Sequence, residues 1–292
     1  MNSLFSEQIE KYRADTFHML PGERLSNIDE AIAFVNQRGF IFFWPISGIT
    51  LPSLWSAVAG DRPVADAHDD PGHVTWGWKD ELLGKKRWFY AKVLRKKATI
   101  ISLEVLPYFY ALSENYGSYE DDYLTIYEQG RLTQEAKIIY EALLDEGPLD
   151  TVALRRATHL TSRESDYRFN RGLVELQVDF KVLPVGVAQA GAWNYAFVYD
   201  IVPRHFPELP DQAHYIQETE ARRKLVEIYF NSVGAAEFRD VVKLFGWRPV
   251  QAERAVNELV KAGLLVNGLE FDRQKSKWLA LREIVAQTES NQ

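Results

Sequence analysis

The sequence contains no cysteine, and this absence removes several classes of protein. Disulfide frameworks, cysteine-ligated zinc sites and thiol redox centres are all excluded. The six histidines show no metal-binding spacing, and His68 and His73, which lie near aspartates in a polar loop, are more simply read as loop residues. We therefore predict no metal and no cofactor. The lack of cysteine also fits a reducing compartment.

The chain also lacks a clear membrane-spanning segment. The stretch GFIFFWPISGITLPSLW at residues 39–55 has no charge, but it is shorter than the ~20 apolar residues that a spanning helix needs, and two prolines interrupt it. The first residues, MNSLFSEQIEKYRADTF, are polar and mixed in charge, unlike a secretory signal. We expect a cytoplasmic protein without a membrane partner.

A net positive charge is missing as well, since the formal net charge is -7 and the isoelectric point is about 5.5. General nucleic-acid binders are usually basic, so such a role must depend on a local patch. The segment KKRWFYAKVLRKK at residues 85–97 has seven basic residues and no acidic one. We predict that these cations bind DNA phosphates, with a strand edge protected by lysines as the alternative. They are Lys85, Lys86, Arg87, Lys92, Arg95, Lys96 and Lys97.

The pattern of helix caps, apolar periodicity and turns predicts an α+β fold of tandem winged-helix (helix-turn-helix) modules around a concave cleft. The middle of the chain reads as three helices followed by a hairpin with its tip near residues 189–193. The same order returns later, and the segments GLVELQVDFKVL and AVNELVKAGLLV mark an internal repeat. A third copy is expected at the N-terminus. The predicted modules are an N-terminal winged-helix-like module at 1–114, an acidic connector at 115–132, a middle winged helix at 133–210, a C-terminal winged helix at 211–275 and a tail at 276–292.

Two helix starts can be predicted locally. A helix over residues 26–38 should be capped by Ser26 and end at Gly39. Another should begin at Ser102, although Pro107 follows within it.

The third helix of the middle module is the predicted recognition helix. Its apolar residues cluster on one side, and Arg163, Tyr167 and Arg171 form a stripe nearly opposite. This pattern suits contact with phosphates or a groove, with an ordinary solvated face as the alternative. At the tip of the following hairpin, Trp193 is either an exposed wedge or, as is more usual for such a ring, packed back on the protein.

Three further stretches of the chain are informative: GFIFFWPISGI, VLRKKATIISLEVLP and WNYAFVYDIVPRHFP. In this order they resemble the AlkZ- and YcaQ-like winged-helix DNA glycosylases. The first is similar to the segment that leads into the family's catalytic strand and turn, the second to a strand that ends at an acidic-Leu-Pro helix start, and the third to the second wing. The resemblance covers roughly residues 26–270. It implies a DNA-repair fold.

The resemblance fails at the residues that carry the chemistry. The family has Gln-x-Gln or Gln-x-Asp in the first stretch, where the polar side chains would position or activate water, and this sequence has Phe42-Phe43-Trp44. Thr99 stands where the family has a histidine. Aromatic rings cannot act as a general base, so the residues argue against hydrolysis by the family's route. The rings either fill the core or stack on a base. The residues predicted to line a cleft are Phe42, Trp44, Trp76, Trp78 and Lys79.

These observations predict a DNA-binding protein that acts on or senses damaged or distorted DNA and lacks the standard catalytic pair. Its partner would be double-stranded DNA, and no oligomeric state is predicted. Two alternatives stay open. One is an active glycosylase with relocated carboxylates, namely Asp80, Glu81 or Glu104. The other is a non-catalytic transcriptional regulator or protein-interaction scaffold.

Overall fold

The structure, a computed structural model, describes residues 3–4, 6–115, 117–191, 193–271 and 276–290. Helices and small, mainly antiparallel sheets share this chain, which confirms the α+β class. The helices are α1 (Ser6–Thr16), α2 (Ile28–Arg38), α3 (Leu54–Ala59), α4 (Val74–Leu82), α5 (Leu106–Tyr110), α6 (Asp122–Glu128), α7 (Gln134–Glu146), α8 (Thr151–Ala157), α9 (Asp166–Val178), α10 (Val202–His205), α11 (Leu209–His214), α12 (Glu218–Val233), α13 (Phe238–Phe245), α14 (Pro249–Lys261) and α15 (Arg282–Ser290). The strands are β1 (Ser3–Leu4), β2 (Phe40–Phe42), β3 (Phe89–Lys92), β4 (Ala98–Ile101), β5 (Leu149–Asp150), β6 (Val182–Ala188), β7 (Ala196–Ile201), β8 (Ala235–Glu237), β9 (Leu265–Phe271) and β10 (Lys277–Leu281).

The described residues form two compact units. The first unit contains those of residues 1–75 and 217–292, and the second contains those of residues 76–216. The boundary therefore lies within α4. The module bounds inferred from the sequence remain a prediction.

One order of elements occurs in both units: a helix, a short strand, two helices and a two-stranded hairpin. In the second unit it runs from α7 through β5, α8 and α9 to β6 and β7, and in the first unit from α12 through β8, α13 and α14 to β9 and β10. The strand pairing is also the same in the two units, because the short strand pairs with the second strand of the hairpin: β5 with β7, and β8 with β10. This repeated order confirms the internal repeat, while a third copy at the N-terminus remains a prediction.

The helices of the second unit are fixed by local caps and by a shared core. Thr133 caps α7, and Glu175 on α9 accepts hydrogen bonds from the Thr133 N–H at 2.9 Å and from its hydroxyl at 2.8 Å. Side chains such as Leu143 on α7 and Phe169 on α9 have no exposed surface and belong to one apolar cluster. The polar link and the apolar contact together hold α9 against α7, which fixes the direction of its outer face.

Two helix starts differ from those predicted. Asn27, not Ser26, caps α2, because Ser26 is one residue too early and binds the Glu30 carboxylate instead. The helix expected from Ser102 begins at Leu106, and Ser102 stabilises the turn before it. Pro107 explains the later start, since proline has no N–H to donate and is tolerated in the first turn of a helix but not in its interior.

The predicted acidic connector, residues 115–132, contains the helix α6. Among the described residues, no helix has both the length and the apolar character needed to cross a bilayer.

Candidate nucleic-acid interface

Four of the predicted DNA-binding cations lie in or beside one tight turn, residues 92–97, which we call the basic turn. It joins β3 to β4, whose paired residues run from Phe89 with Ile101 to Lys92 with Ala98. Val93 and Leu94 are buried and anchor the turn, whereas the four cations are exposed. The exposed cations are Lys92, Arg95, Lys96 and Lys97.

The conformation of the basic turn is held by Thr99. The Thr99 hydroxyl accepts a hydrogen bond from the Leu94 N–H at 3.1 Å and donates one to the Lys97 carbonyl at 2.8 Å. Arg95 and Lys96 have φ values of 55° and 59°, in the left-handed region that costs a non-glycine residue roughly 1 kcal/mol or more. Thr99 thus has a structural role, because it stabilises a turn that presents cations.

The basic turn is attached to α9. The Lys92 N–H donates to the Gln177 side-chain carbonyl at 3.0 Å, and the Gln177 amide donates to the Leu173 carbonyl at 3.1 Å. Gln177 is buried, so this link lies inside the protein rather than on its surface. The predicted recognition helix and the basic segment, far apart in the sequence, are therefore adjacent in the structure.

The outer face of α9 carries the predicted stripe. Tyr167 and Arg171 are exposed on the helix, with 73% of the Tyr167 surface open to solvent. Arg163 is exposed in the short turn that precedes the helix. Within the described residues, no ion pair involves Arg163 or Arg171, in contrast to Arg168, which pairs with Glu135 at 3.2 Å. The stripe thus consists of two solvated cations and an exposed tyrosine ring rather than a salt-bridge network.

A surface pocket of about 490 Å³ brings the two predicted groups together, since Lys96 of the basic turn and Arg171 of α9 both line it. Arg131 lines it as well, and sequence reasoning missed this residue because it stands alone in an acidic segment. Glu175 and Asp179 add negative charge to the wall, but Glu175 is engaged in capping α7. Three cations and two carboxylates thus line the pocket, and Arg131 is paired with Glu114.

The remaining predicted cations, Lys85, Lys86 and Arg87, lie before β3 and hence at the opposite end of the β3–β4 hairpin from the basic turn. Lys85 pairs with Glu81 at 2.9 Å, and the Lys86 ammonium lies 5.9 Å from the centre of the Phe206 ring. A four-residue strand separates the groups by roughly 13 Å. The basic segment is therefore two groups of cations, and one of them is next to α9.

Burial changes the ionisation of groups around α9. Burial raises the pKa of Asp179, and the nearby Lys181 charge opposes this shift. Burial also lowers the pKa of Lys181 to about 8. Within the basic turn, burial and then the charge of Lys97 lower the pKa of Lys92. An anion that binds beside Lys92 and Lys97 relieves the repulsion between these two ammonium groups.

The aromatic stretch in the first unit is mostly core. Phe40, Phe42 and Phe43 are buried, the Phe42 N–H donates to the Pro52 carbonyl at 2.9 Å, and Trp44 is half-buried. The alternation expected of a half-buried strand is absent, because consecutive residues of β2 are all buried. With no exposed surface, Phe42 lines no open cleft in this structure and cannot stack on a base without a rearrangement.

The other predicted cleft residues lie in the second unit, where Lys79 is only 4% exposed and Trp78 is also buried. The Lys79 ammonium donates to the Tyr195 hydroxyl at 2.9 Å and pairs with Asp80 at 2.8 Å, and the Tyr195 hydroxyl donates to the same Asp80 oxygen at 2.8 Å. Trp76 is 39% exposed, with its ring centre 5.4 Å from the Lys79 ammonium. Burial lowers the pKa of Lys79, and Asp80 opposes that shift. Sequence reasoning noted Lys79 and Asp80 but not Tyr195.

The three alternative carboxylates have different surroundings. Asp80 is held by Lys79 and Tyr195, whereas Glu81 is exposed and paired with Lys85, and Glu104 is exposed. Among the described residues, no cluster of three or more histidines and carboxylates could hold a metal ion.

The hairpin β6–β7 ends in an exposed ring. Trp193 is 91% exposed, so it does not pack back on the protein, and the wedge reading of its position is the one that its exposure fits. From residue 182 to residue 199 the hairpin has no charged side chain. Its tip can therefore offer aromatic surface but no cation.

The molecule belongs to the class of proteins built from a repeated helix–strand–helix–helix–hairpin unit, and the third helix of one repeat, α9, carries exposed cations. Sequence comparison then gives the family. The family model described as AlkZ related matches residues 25–246, and the chain belongs to this family. The solved structure of the DNA glycosylase AlkZ from Streptomyces sahachiroi is similar, with a TM-score of 0.59 and 11% identity over 99% of this chain and 72% of that chain. At this identity the likeness shows a shared fold. No curated protein matches the sequence.

Proposed function

We propose that this protein binds double-stranded DNA through one face of its second unit, formed by the basic turn and the outer face of α9. The observation that carries the proposal is the shared pocket of Lys96 and Arg171, which joins two cationic segments distant in the sequence. The likeness to a DNA glycosylase fold and membership of the AlkZ-related family support the choice of DNA as the partner.

The charge distribution favours a phosphate partner. The chain has a net charge of -7, so a general attraction to DNA is weak and binding depends on this local face. Each phosphate that a lysine or arginine neutralises releases counterions, which makes binding favourable at low salt and weaker as salt rises. Arg163 and Arg171, which form no ion pair with any described carboxylate, bind phosphate without first breaking a salt bridge.

We also infer that the repeated units are winged helices, with α9 as the recognition helix of its module. In such modules the second or third helix enters the major groove and the hairpin contacts the backbone or the adjacent groove. The solvated stripe on α9 supports this assignment. The counterpart α14 has an ion pair between Arg254 and Glu258 on its exposed side, so the first unit is the weaker DNA-binding candidate.

Binding is proposed without glycosylase chemistry by the family's route. Phe42 and Trp44 stand where the resemblance places the polar catalytic pair, and Phe42 is also fully buried. Neither ring can act as a general base or hold water as an amide or carboxylate does. We therefore propose recognition of damaged or distorted DNA rather than its hydrolysis. The exposed Trp193 and Tyr167 support a preference for distorted DNA, because an unpaired base has a free face for stacking. A cytoplasmic location remains a prediction.

The test replaces Lys96 and Lys97 together by Glu and measures duplex affinity over a salt series. Binding should weaken, and the slope of log affinity against log salt should become flatter by roughly 0.9 for each phosphate that is no longer neutralised. The matched control replaces Arg254 and Lys261 by Glu, an equal change of charge on the corresponding third helix of the first unit.

The control should keep most of the affinity. An equal reduction in both variants would mean that net charge, not the basic turn, determines binding. If the wild type does not bind duplex DNA even at low salt, the protein-interaction alternative is favoured.

A further inference from the structure

A hydrogen-bonded network of Lys79, Asp80 and Tyr195 joins the helix α4 to the β6–β7 hairpin at the residue just before β7. We propose that this network is a latch that positions the tip, so that Trp193 is presented for stacking on an unpaired base in duplex DNA. The inference rests on the proposed function and adds the chemical group that the tip recognises. Lys79 and Tyr195 are positioning residues, and they act through Trp193.

The latch is a closed triangle of polar groups. The Lys79 ammonium, the Tyr195 hydroxyl and one Asp80 carboxylate oxygen are each within 2.9 Å of the other two. Tyr195 immediately precedes β7, and Lys79 and Asp80 lie on α4, so the triangle connects the hairpin to an element outside it. Removing the Tyr195 hydroxyl breaks both of its bonds while leaving the Lys79–Asp80 pair.

Aromatic rings surround the ammonium of the latch. Its distance to the ring centre is 4.6 Å for Phe197, 5.5 Å for Tyr195 and 5.8 Å for Tyr90. Such cation–π contacts strengthen as the cation loses water, and Lys79 is only 4% exposed. A buried ammonium is tolerated only when its partners are in place, so the hairpin base is restricted to the geometry that completes the site.

The tip itself is short and tightly turned. Gly191 and Asn194 have φ values of 78° and 51°, and the Asn194 N–H donates to the Gly191 carbonyl at 3.2 Å. Trp193 lies two residues before Tyr195 and is 91% exposed. Because only Asn194 separates Trp193 from Tyr195, a change in the position of Tyr195 also changes the position of Trp193.

The chemistry of the tip selects a base rather than a phosphate. The hairpin has no charged side chain from residue 182 to residue 199, so it offers no ionic attraction to the phosphates of DNA. An indole ring offers a face for stacking, which tolerates any base but requires one that is not already stacked on both sides. An unpaired or bulged base meets that requirement, and a fully paired duplex does not.

The experiment compares two short duplexes, one fully paired and one with a single bulged 2-aminopurine, whose fluorescence reports stacking. The wild type should bind the bulged duplex more tightly by a factor of about 5 to 150, the range that one stacked base provides. Trp193→Ala should abolish that preference. Lys79→Met and Tyr195→Phe should reduce it by most of the same factor, with unchanged affinity and salt slope on the paired duplex. Lys277→Met, which removes an exposed ammonium paired with Glu270 in the first unit, is the matched control and should keep the preference.

A double-mutant cycle separates positioning from general destabilisation. If Lys79 acts through Trp193, combining Lys79→Met with Trp193→Ala costs no more than Trp193→Ala alone. Additive losses, or a full preference retained in both Lys79→Met and Tyr195→Phe, would overturn the latch. Tyr195→Phe keeps the test valid if Lys79→Met fails to fold. A wild type that binds paired DNA but shows no dependence on Trp193 contradicts only the latch, whereas a wild type that binds neither duplex contradicts the proposed function as well.

Discussion

Lys181 shows how a single residue near the proposed interface depends on its surroundings. It follows the C-terminal end of α9, and its ammonium donates to the Asn115 side-chain carbonyl at 2.9 Å and to the Glu114 carbonyl at 3.3 Å. Burial lowers its pKa to about 8, with Asp179 and Asp122 opposing the shift. The ammonium is therefore mostly charged at neutral pH, although the folded protein favours the neutral form more than the unfolded chain does.

The pKa of Lys181 predicts a pH dependence of stability. The folded-state pKa of about 8 is below the unfolded value of about 10.4, so the unfolded chain binds more protons between these values and the free energy of unfolding rises with pH across that window. Relative to Lys181→Met, the wild type should gain roughly 1 kcal/mol per pH unit above pH 8. Denaturant unfolding of both proteins at pH 7, 8 and 9 measures the difference, in which the shared titration of other groups cancels. A constant difference across this range would contradict the assignment.

At the scale of elements, α9 and α14 show how one position in a repeat can acquire a role that its counterpart lacks. Both helices have 13 residues and both precede a hairpin. On α14 the exposed Arg254 is 3.6 Å from Glu258. On α9, by contrast, Arg171 is exposed beside the basic turn, which has no counterpart in the order of elements that the two units share. The difference comes from the surface residues, while the first and third helices of the repeat pack together in both units.

Replacing Arg163 and Arg171 by Ala tests the role of α9. Binding should weaken to a similar extent for all duplex sequences, because phosphate contacts position a protein without reading bases. The salt slope should fall by roughly 2 if each arginine contacts one phosphate. Arg168→Ala is the control, since Arg168 is already paired with Glu135. A loss confined to one DNA sequence would show that the arginines read base edges instead.

At the scale of the whole molecule, local patterns in the sequence were sufficient for the class of fold and for the repeated order of elements. The exposed face of α9 was also predictable, since helical periodicity alone separates Arg171 from Phe169. What could not be predicted depends on contacts between distant segments. Nothing near Lys92 indicates that its N–H is bound by Gln177, and nothing near Lys79 indicates Tyr195 as a partner. The division of the basic segment into two groups likewise follows from the pairing of β3 with β4, which extends residues 89–92 as a strand and leaves the cations at its two ends.

The molecule as a whole should bind DNA without releasing bases from it. Excision of a flipped base by the family's route needs a group that activates or orients water for attack on the sugar, and neither the Phe42 ring nor the Trp44 ring is a base that can do so. We expect no base release from an alkylated duplex by the wild type. The measurement is a gel assay for abasic sites, with the protein and duplex mixed at concentrations above the dissociation constant of their complex. Phe42→Gln combined with Trp44→Asp is the companion variant; its failure to release bases would not be surprising, because Phe42 is fully buried and a polar amide there disturbs the core. The informative variants are therefore Asp80→Asn and Glu104→Gln. Base release by the wild type that persists in Trp44→Ala and is lost in either of them would show that the catalytic centre has moved to a different carboxylate, and Asp80, whose oxygen is bound by Lys79 and Tyr195, would be the first to examine.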